Sequence, residues 1–148
     1  AAAEILENEY QVAADIWSVT SSTELYREGR SVARWNTLHP EESPKMSYLT
    51  GLLDGRSGPV IAASDYMQVS MDQLRSLIPQ NYMVLGTDGY GRSDTRSKLR
   101  QFFEVSREFV VIATLKSLAD EGKVEASVVT KAIKDLGIDP EKIDPVTL

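Results

Sequence analysis

Residues 59–86, "PVIAASDYMQVSMDQLRSLIPQNYMVLG", decide the fold class of this chain. Two short apolar runs, at 59–64 and 82–86, have the length and composition of buried strands. Between them, apolar residues recur at spacings of three and four, which predicts a one-sided helix that ends at Pro79. These residues are Met71, Leu74, Leu77 and Ile78. A strand, a helix and a second strand in this order are typical of a parallel α/β sheet.

The sequence before this unit predicts helices and one more strand. Residues 1–10 are rich in alanine and glutamate and predict a helix. Residues 13–19, which include Trp17, predict a short strand. Residues 20–39 predict two shorter helical pieces, or one helix with a break, interrupted at Gly29, with an N-cap at Thr20, Ser21 or Ser22. A loop at 40–45 and a short helix that stops near Gly55 complete this half.

The sequence after residue 93 predicts a helical region. Apolar residues recur with helical spacing in three stretches, and Gly122 and Gly137 supply stops for the second and third. The tail from Ile138 to the end contains two prolines, and we expect it to lie extended over the surface. No internal repeat or low-complexity linker divides the chain, so residues 1–148 predict a single domain.

Composition narrows the function without naming it. Sixteen lysines and arginines against twenty-two aspartates and glutamates give a net charge of −6, which disfavours general binding to nucleic acid. The absence of cysteine excludes disulfides and cysteine nucleophiles. No apolar run approaches the roughly 20 residues of a membrane helix, so we expect no membrane association and a cytoplasmic location.

The stretch "LGTDGYGRSDTRSKLRQFFEV", residues 85–105, has the densest polar content. Its glycines can adopt positive φ, which suits a tight corner between a strand and a helix. Ser93 is the expected N-cap of the next helix, and Asp94 is favourably placed in its first turn. On this interpretation the aspartates cap backbone N–H groups and the arginines pair with neighbouring carboxylates.

The same stretch also has an interpretation as an anion site. A helix N-terminus behind glycines could hold an anion, and Arg92 and Arg96 would add positive charge. However, the G-x-x-G-x-G spacing is neither the dinucleotide fingerprint nor the Walker A sequence. Asp88 and Asp94 would also repel a phosphate. A structural or interface role is therefore the favoured interpretation.

His39 is the single histidine of the chain and lies in the loop sequence "NTLHPEES". Glu41 or Glu42 could orient it as a general base, but the sequence reveals no nucleophile beside it. One histidine and two adjacent glutamates also lack a recognised metal-ligand spacing. We therefore expect a surface histidine and predict no metal site.

Three segments together resemble a known family. They are "WSVTSSTELYREGRSVARWNTLHP", "PVIAASDYMQVSMDQLRSLIP" and "YMVLGTDGYGRSDTRSKLRQFFEV". They are similar to the C-terminal domain of the homodimeric, bacterial-type pyruvate dehydrogenases, within the transketolase family. Tyr90, Gly91 and Ser93 match that family's Phe-Gly-x-Ser turn, with tyrosine in place of the usual phenylalanine. The resemblance extends over essentially the whole chain.

The resemblance implies a fold and a parent enzyme. The fold would be a three-layer α/β domain, with a mostly parallel sheet of about five strands flanked by helices and a helical C-terminal region. The chain would then be a fragment of a much longer protein, whose first strand of this domain would precede Ala1. The parent enzyme would use thiamin diphosphate and Mg²⁺ to decarboxylate pyruvate and reductively acetylate a lipoyl group. Its cofactor motifs belong to the two preceding domains, so the resemblance assigns no catalytic, cofactor or metal residue here.

We therefore expect a structural, dimer-supporting domain that is inactive alone. Its expected partners are the remaining domains of the same chain, a homodimer partner and the dihydrolipoyl acetyltransferase component. The candidate interface or anion loop consists of Asp88, Tyr90, Gly91, Arg92, Ser93, Asp94 and Arg96. The alternative is a regulatory module that binds an anion or another component of the complex. A third, weaker hypothesis is a free-standing hydrolase or transferase that uses His39.

Overall fold

The computed structural model describes residues 1–147 and has an α/β fold with a helical C-terminal half. The helices are α1 (Ala2–Tyr10), α2 (Ser22–Leu38), α3 (Tyr48–Leu53), α4 (Val69–Asp72), α5 (Arg96–Phe102), α6 (Arg107–Asp120) and α7 (Ala126–Asp135). The strands are β1 (Val60–Ala63) and β2 (Tyr82–Leu85), and 3₁₀ turns occur at Arg75–Leu77 and Pro145–Thr147.

Within the described residues, β1 and β2 form a two-stranded parallel sheet. Val60 pairs with Tyr82 and Ala63 with Leu85, so both strands end at the same edge. Helix α6 packs on both strands. The predicted α/β class, with a parallel sheet flanked by helices, is confirmed, but the described residues contain two strands where the resemblance implied about five.

The largest buried cluster joins α1, α6 and α7. Its fully or nearly fully buried members are Leu6, Val111, Leu115, Val129 and Ala132. The predicted glycine stops are confirmed, because Gly122 and Gly137 have φ of 69° and 67° just after α6 and α7. At the first of these ends, the N–H of Lys123 donates to the carbonyl of Leu118 at 2.9 Å, the long bond of a Schellman motif. Helices α6 and α7 therefore both end at the glycines that the sequence predicts.

The predicted strand at residues 13–19 is wrong. This segment has no regular secondary structure and no ladder partner among the described residues. Ile16 is 81% exposed and Trp17 is 47% exposed, while Arg56 lies over the Trp17 ring at 4.9 Å and binds Asp15 at 2.6 Å. A strand requires a neighbour for its backbone N–H and C=O groups, and local composition does not supply one.

The predicted interruption of α2 at Gly29 is also wrong. The helix runs without a break from Ser22 to Leu38, and Ser21, one of the three predicted caps, accepts from the N–H of Glu24 at 3.3 Å. A Cβ added to Gly29 would lie 2.5 Å from two methyl carbons of Leu77. Glycine is therefore present because Leu77 packs directly against the helix backbone.

The single helix predicted between the strands is shorter than expected. Helix α4 ends at Asp72, and a 3₁₀ turn follows before Pro79. Ile78 is extended, with φ −110° and ψ 108°, as expected for a residue close to a proline-terminated turn. The tail differs as well: instead of lying extended throughout, it forms a 3₁₀ turn in which Pro145 is buried.

Candidate functional site

The loops that follow β1 and β2 lie against each other at the carboxyl edge of the sheet. The N–H of Thr87 donates to the carbonyl of Tyr66 at 2.9 Å, and its Oγ1 donates to the carbonyl of Asp65 at 2.9 Å. The carboxylate of Asp88 accepts from the N–H of Gln68 at 3.0 Å. This edge is where parallel sheets usually place their functional groups. In this structure the carboxylate of Asp88 caps the backbone N–H of Gln68 there.

Two glycines allow the β2–α5 loop, residues 86–95, to approach its neighbours. A Cβ at Gly86 would lie 2.5 Å from the backbone nitrogen of Gln68. Gly89 has φ of 118°, and a Cβ there would lie 2.6 Å from the carbonyl oxygen of Pro145. Gly91 is exposed, and a Cβ there would meet nothing within 4 Å. The first two glycines are needed for packing, and the third is not.

Ion pairs hold the loop and the start of α5. Arg100 donates to both carboxylate oxygens of Asp65, at 3.2 and 3.0 Å from the same nitrogen, and Arg96 lies 3.7 Å from Asp65. Lys98 lies 3.9 Å from Asp94. The partner of Arg96 and Arg100 is thus a carboxylate from the loop after β1, whereas Lys98 pairs with Asp94 in the β2–α5 loop.

Arg92 is placed differently from the other cations of the loop. Its guanidinium lies 4.1 Å from the centre of the Phe102 ring, a cation–π arrangement. Among residues 1–147 it forms no ion pair with a carboxylate. A shallow, open cavity of about 190 Å³ lies beside it, lined by Arg92, Ser93, Asp94, Lys98, Leu99 and Phe102. Its donors therefore remain available to a binding partner.

The predicted cap of α5 is displaced by two residues. Thr95, rather than Ser93, is the N-cap, and its Oγ1 accepts from the N–H of Lys98 at 3.4 Å. The carboxylate of Asp94 accepts from the N–H of Thr95 at 2.7 Å. A bond from a side chain to the next backbone N–H competes with helical geometry, so the helix begins later. Ser93 and Asp94 consequently lie outside the helix.

Exposed apolar residues surround this edge of the sheet. Tyr90 is 80% exposed and Tyr66 is 75% exposed, and Met67 and Val69 are also more than half exposed. Tyrosine, methionine and arginine are enriched in protein–protein interfaces. The structure thus brings Asp88 of the predicted loop to the segment that contains Tyr66 and Met67, which the sequence analysis does not select. Their position shortly after a predicted strand is the signal that the sequence offers.

Among the described residues, the ring of His39 contacts Trp35 and no residue that could form a catalytic site with it. Its ring stacks on Trp35 at 4.3 Å between centroids, and its Nδ1 is 2.8 Å from the carbonyl of Trp35. Lys45 lies 3.8 Å above the same indole. The hydrogen bonds of His39 in this part of the chain include no side-chain nucleophile. The catalytic hypothesis for His39 therefore gains no support.

Two further properties of residues 1–147 bear on the site. No group of three or more histidine or acidic side chains is arranged to hold a metal ion. No described helix is long and apolar enough to cross a membrane.

The fold and the strand-to-helix corner define the class of domain. Residues 1–106 match the transketolase-like TK C-terminal domain family, and the chain belongs to that family. The residues matched include both strands, the β2–α5 loop and α5. This confirms the resemblance that the three sequence segments indicated.

Individual relatives are similar over almost the whole chain. The pyruvate dehydrogenase E1 component of Pseudomonas aeruginosa is 54% identical over 98% of this chain and 17% of that protein. The proteins of the same name from Cupriavidus necator and Escherichia coli are 49% and 46% identical, over 100% and 97% of this chain. Each of these two matches covers 16% of the relative. The chain therefore spans about a sixth of the length of these relatives.

Proposed function

We propose that this chain is a structural, dimer-supporting domain of a thiamin diphosphate-dependent pyruvate dehydrogenase. The relatives named as the E1 component support the choice of enzyme, since they are 46–54% identical to this chain. The complete enzyme would decarboxylate pyruvate and acetylate the lipoyl group of the dihydrolipoyl acetyltransferase component, in the cytoplasm. This chain would be inactive alone, because the cofactor would be held by other domains.

The cofactor does not fit the residues described here. Thiamin diphosphate with Mg²⁺ requires carboxylate or carbonyl oxygens arranged around the metal. In residues 1–147 no acidic cluster has that arrangement, Asp88 caps the backbone of Gln68, and Asp65 is paired with Arg100. We therefore assign no step of the reaction to this chain.

One observation carries the interface role: ordered loops present exposed aromatic and apolar side chains. Tyr90 and Tyr66 lie on loops that are joined by backbone and side-chain hydrogen bonds of Thr87 and Asp88, and both tyrosine side chains are largely exposed. Rigid aromatic side chains lose little conformational entropy on binding. Arg92, held over Phe102, offers donors at the same edge. We propose that residues 88–96 contact the partner subunit.

The test measures dimerisation and chemistry separately in the full-length protein. Arg92→Gln, Arg96→Gln and Tyr90→Ser should each raise the dimer dissociation constant, by about tenfold for a residue at the centre of the contact. Single-turnover decarboxylation at saturating protein concentration should change much less. Arg34→Gln, on the exposed surface of α2, is the matched control. Unchanged dimer dissociation together with a large loss of single-turnover rate would refute the interface role.

The alternative function, a binding module for a regulatory anion or for the acyltransferase component, has one observation in its favour. Arg92 and Lys98 line the same shallow cavity, although Asp94 lines it too and lies 3.9 Å from Lys98. Titration of the protein with phosphate, with nucleotides and with that component, followed by amide chemical shifts, separates these ligands. If none of them shifts the resonances of residues 86–96, the anion-binding version of this hypothesis is wrong.

A further inference from the structure

The C-terminal segment, residues 138–147, is shaped by two copies of the tripeptide Ile-Asp-Pro. In the first copy the carboxylate of Asp139 accepts from the N–H of Glu141 at 3.0 Å. In the second copy the carboxylate of Asp144 accepts from the N–H of Val146 at 2.9 Å. Aspartates that bond to the backbone two residues later stabilise turns without any neighbouring element. The segment therefore has its own local order.

Lys142 lies between these two turns and reaches the end of α5. Its Nζ donates to the carbonyl of Phe102 at 2.6 Å and to the carboxylate of Glu104 at 2.9 Å, and its side chain is 27% exposed. The ammonium also lies 5.4 and 5.7 Å from the ring centres of Phe102 and Phe109. The last carbonyls of a helix lack intrahelical partners and favour a cation. Lys142 satisfies such a carbonyl from a distant part of the chain.

Glu104 is held in an unusual backbone conformation at the same place. Its φ is 61°, in the left-handed region, and the N–H of the following Val105 donates to the carbonyl of Arg100 at 2.9 Å. This is the position in a Schellman motif where glycine is most common. Glycine would relieve the backbone but would remove the carboxylate that Lys142 binds. The strained glutamate is therefore consistent with a role for that ion pair.

Pro145, three residues after Lys142, contacts the β2–α5 loop directly. Its carbonyl oxygen occupies the space that a Cβ at Gly89 would need, at 2.6 Å. A small cavity of about 60 Å³ separates the two chain segments elsewhere, and both Asp88 and Val146 line it. The same C-terminal segment thus contacts the tip of the loop through Pro145 and the far end of α5 through Lys142.

We propose that the C-terminal segment clamps the β2–α5 loop, and that Lys142 is the residue that positions the clamp. Lys142 fixes the segment relative to the end of α5, which places Pro145 against Gly89 and limits the conformations of the loop. This inference concerns the conformation of the loop and goes beyond the proposed dimer contact. Its test does not depend on what the loop binds.

Hydrogen exchange of the full-length protein, measured by mass spectrometry, tests this inference. In Lys142→Met, amides of residues 86–92 should exchange about tenfold faster, since a charge-assisted contact that holds the segment is lost. Amides of α7 should exchange as in the unaltered protein. Lys134→Met is the matched control, because Lys134 is exposed on α7 and forms no ion pair in the described residues. It should leave exchange at 86–92 unchanged.

Two results would overturn the inference. One is faster exchange at 139–147 with no change at 86–92, which would show that the loop keeps its conformation without the segment. The other is a uniform increase that includes α7, which would show a general loss of stability. If Lys142→Met does not fold, Glu104→Gln removes one partner of the ammonium and should produce a smaller change in the same residues. No change at 86–92 in a folded Glu104→Gln protein would count equally against the clamp.

Discussion

Arg100 and Asp65 join the start of the helical region to the loop after β1. Three hydrogen bonds of 3.0–3.3 Å connect the guanidinium to the carboxylate, although the two residues are 35 positions apart. Both side chains are about half exposed, at 42% and 55%. The pair therefore orients α5 against the sheet edge more than it adds stability.

Replacement of Asp65 tests this pair. Asp65→Asn should lower the free energy of unfolding by about 0.5–1 kcal/mol at low salt, because Arg100 and Arg96 lose their shared partner. In about 1 M NaCl the difference should shrink, since exposed charges are screened within a few ångströms. Urea unfolding at both salt concentrations measures the effect. Asp54→Asn, an exposed carboxylate outside the ion pairs of residues 1–147, should show neither effect.

A pair of glycine substitutions tests the packing of α2. Gly29→Ala should destabilise the protein by about 1–3 kcal/mol, because the new methyl group would displace Leu77. Gly51→Ala is the control: it lies in α3, and its Cβ would meet Met46 at an ordinary 3.4 Å. That change should be neutral or stabilise by up to about 1 kcal/mol, as alanine is the better helix former. Leu77→Ala should reduce the cost of Gly29→Ala in a double-mutant cycle, and additive effects would contradict the contact.

The position of the α5 cap gives a third prediction. Thr95→Ala should cost about 1 kcal/mol in unfolding free energy, since it removes the acceptor of the Lys98 N–H. Ser93→Ala should cost almost nothing, because Ser93 is exposed and lies before the helix. Thermal or urea unfolding of the two variants decides between the capping positions. A larger loss for Ser93→Ala would restore the assignment made from sequence.

The buried hydroxyl of Tyr82 should make the stability of the protein fall at alkaline pH. Burial raises the pKa of its hydroxyl to about 12, with nearby Asp72 adding to the effect and Arg75 opposing it. The pKa in the unfolded chain is near 10.0, so the folded state holds the proton more tightly. The resulting stability is fully present below about pH 10 and is lost as pH rises towards 12.

Unfolding at a series of pH values measures this effect. Tyr82→Phe loses the hydrogen bond to the carbonyl of Met71, so it should be less stable at pH 8, by about 1 kcal/mol. Between about pH 10 and 12 the gap between the two proteins should close, since Tyr82→Phe has no hydroxyl to ionise at this site. Tyr48→Phe, with an exposed side chain, should follow the unaltered protein throughout. A constant gap would contradict the raised pKa.

The sequence predicts the elements whose signals are local. The strands at 60–63 and 82–85 are apolar runs of strand length, and the ends after α6 and α7 coincide with glycines. Each of these features depends on a few neighbouring residues. The helix-to-strand order then limits the fold to a parallel α/β arrangement. Local pattern and topology were therefore sufficient for the fold class.

The features that sequence reasoning missed depend on distant residues. From the sequence alone, Gly29 predicts an interruption of the helix. In the structure, glycine is needed there because Leu77, which is far away along the chain, packs against the helix backbone. Residues 13–19 have strand composition, but a ladder partner has to come from another segment. The sequence does not predict the roles of Asp65 at the candidate site and of Lys142 in the C-terminal segment. Their partners, Arg100 and Phe102, are 35 and 40 positions away. Such pairings cannot be read from spacing.

The contact between Lys142 and Phe102 also sets an order of events during synthesis. Phe102 leaves the ribosome 40 residues before Lys142, so α5 and the β2–α5 loop emerge well before the segment that contacts them. Until Lys142 has been synthesised, the carboxylate of Glu104 lacks the cation that it binds in the folded domain. Contacts between distant residues form late, after more local structure is in place. On the clamp proposed above, the loop that we assign to the partner subunit reaches its final conformation only after residues 138–147 have been synthesised.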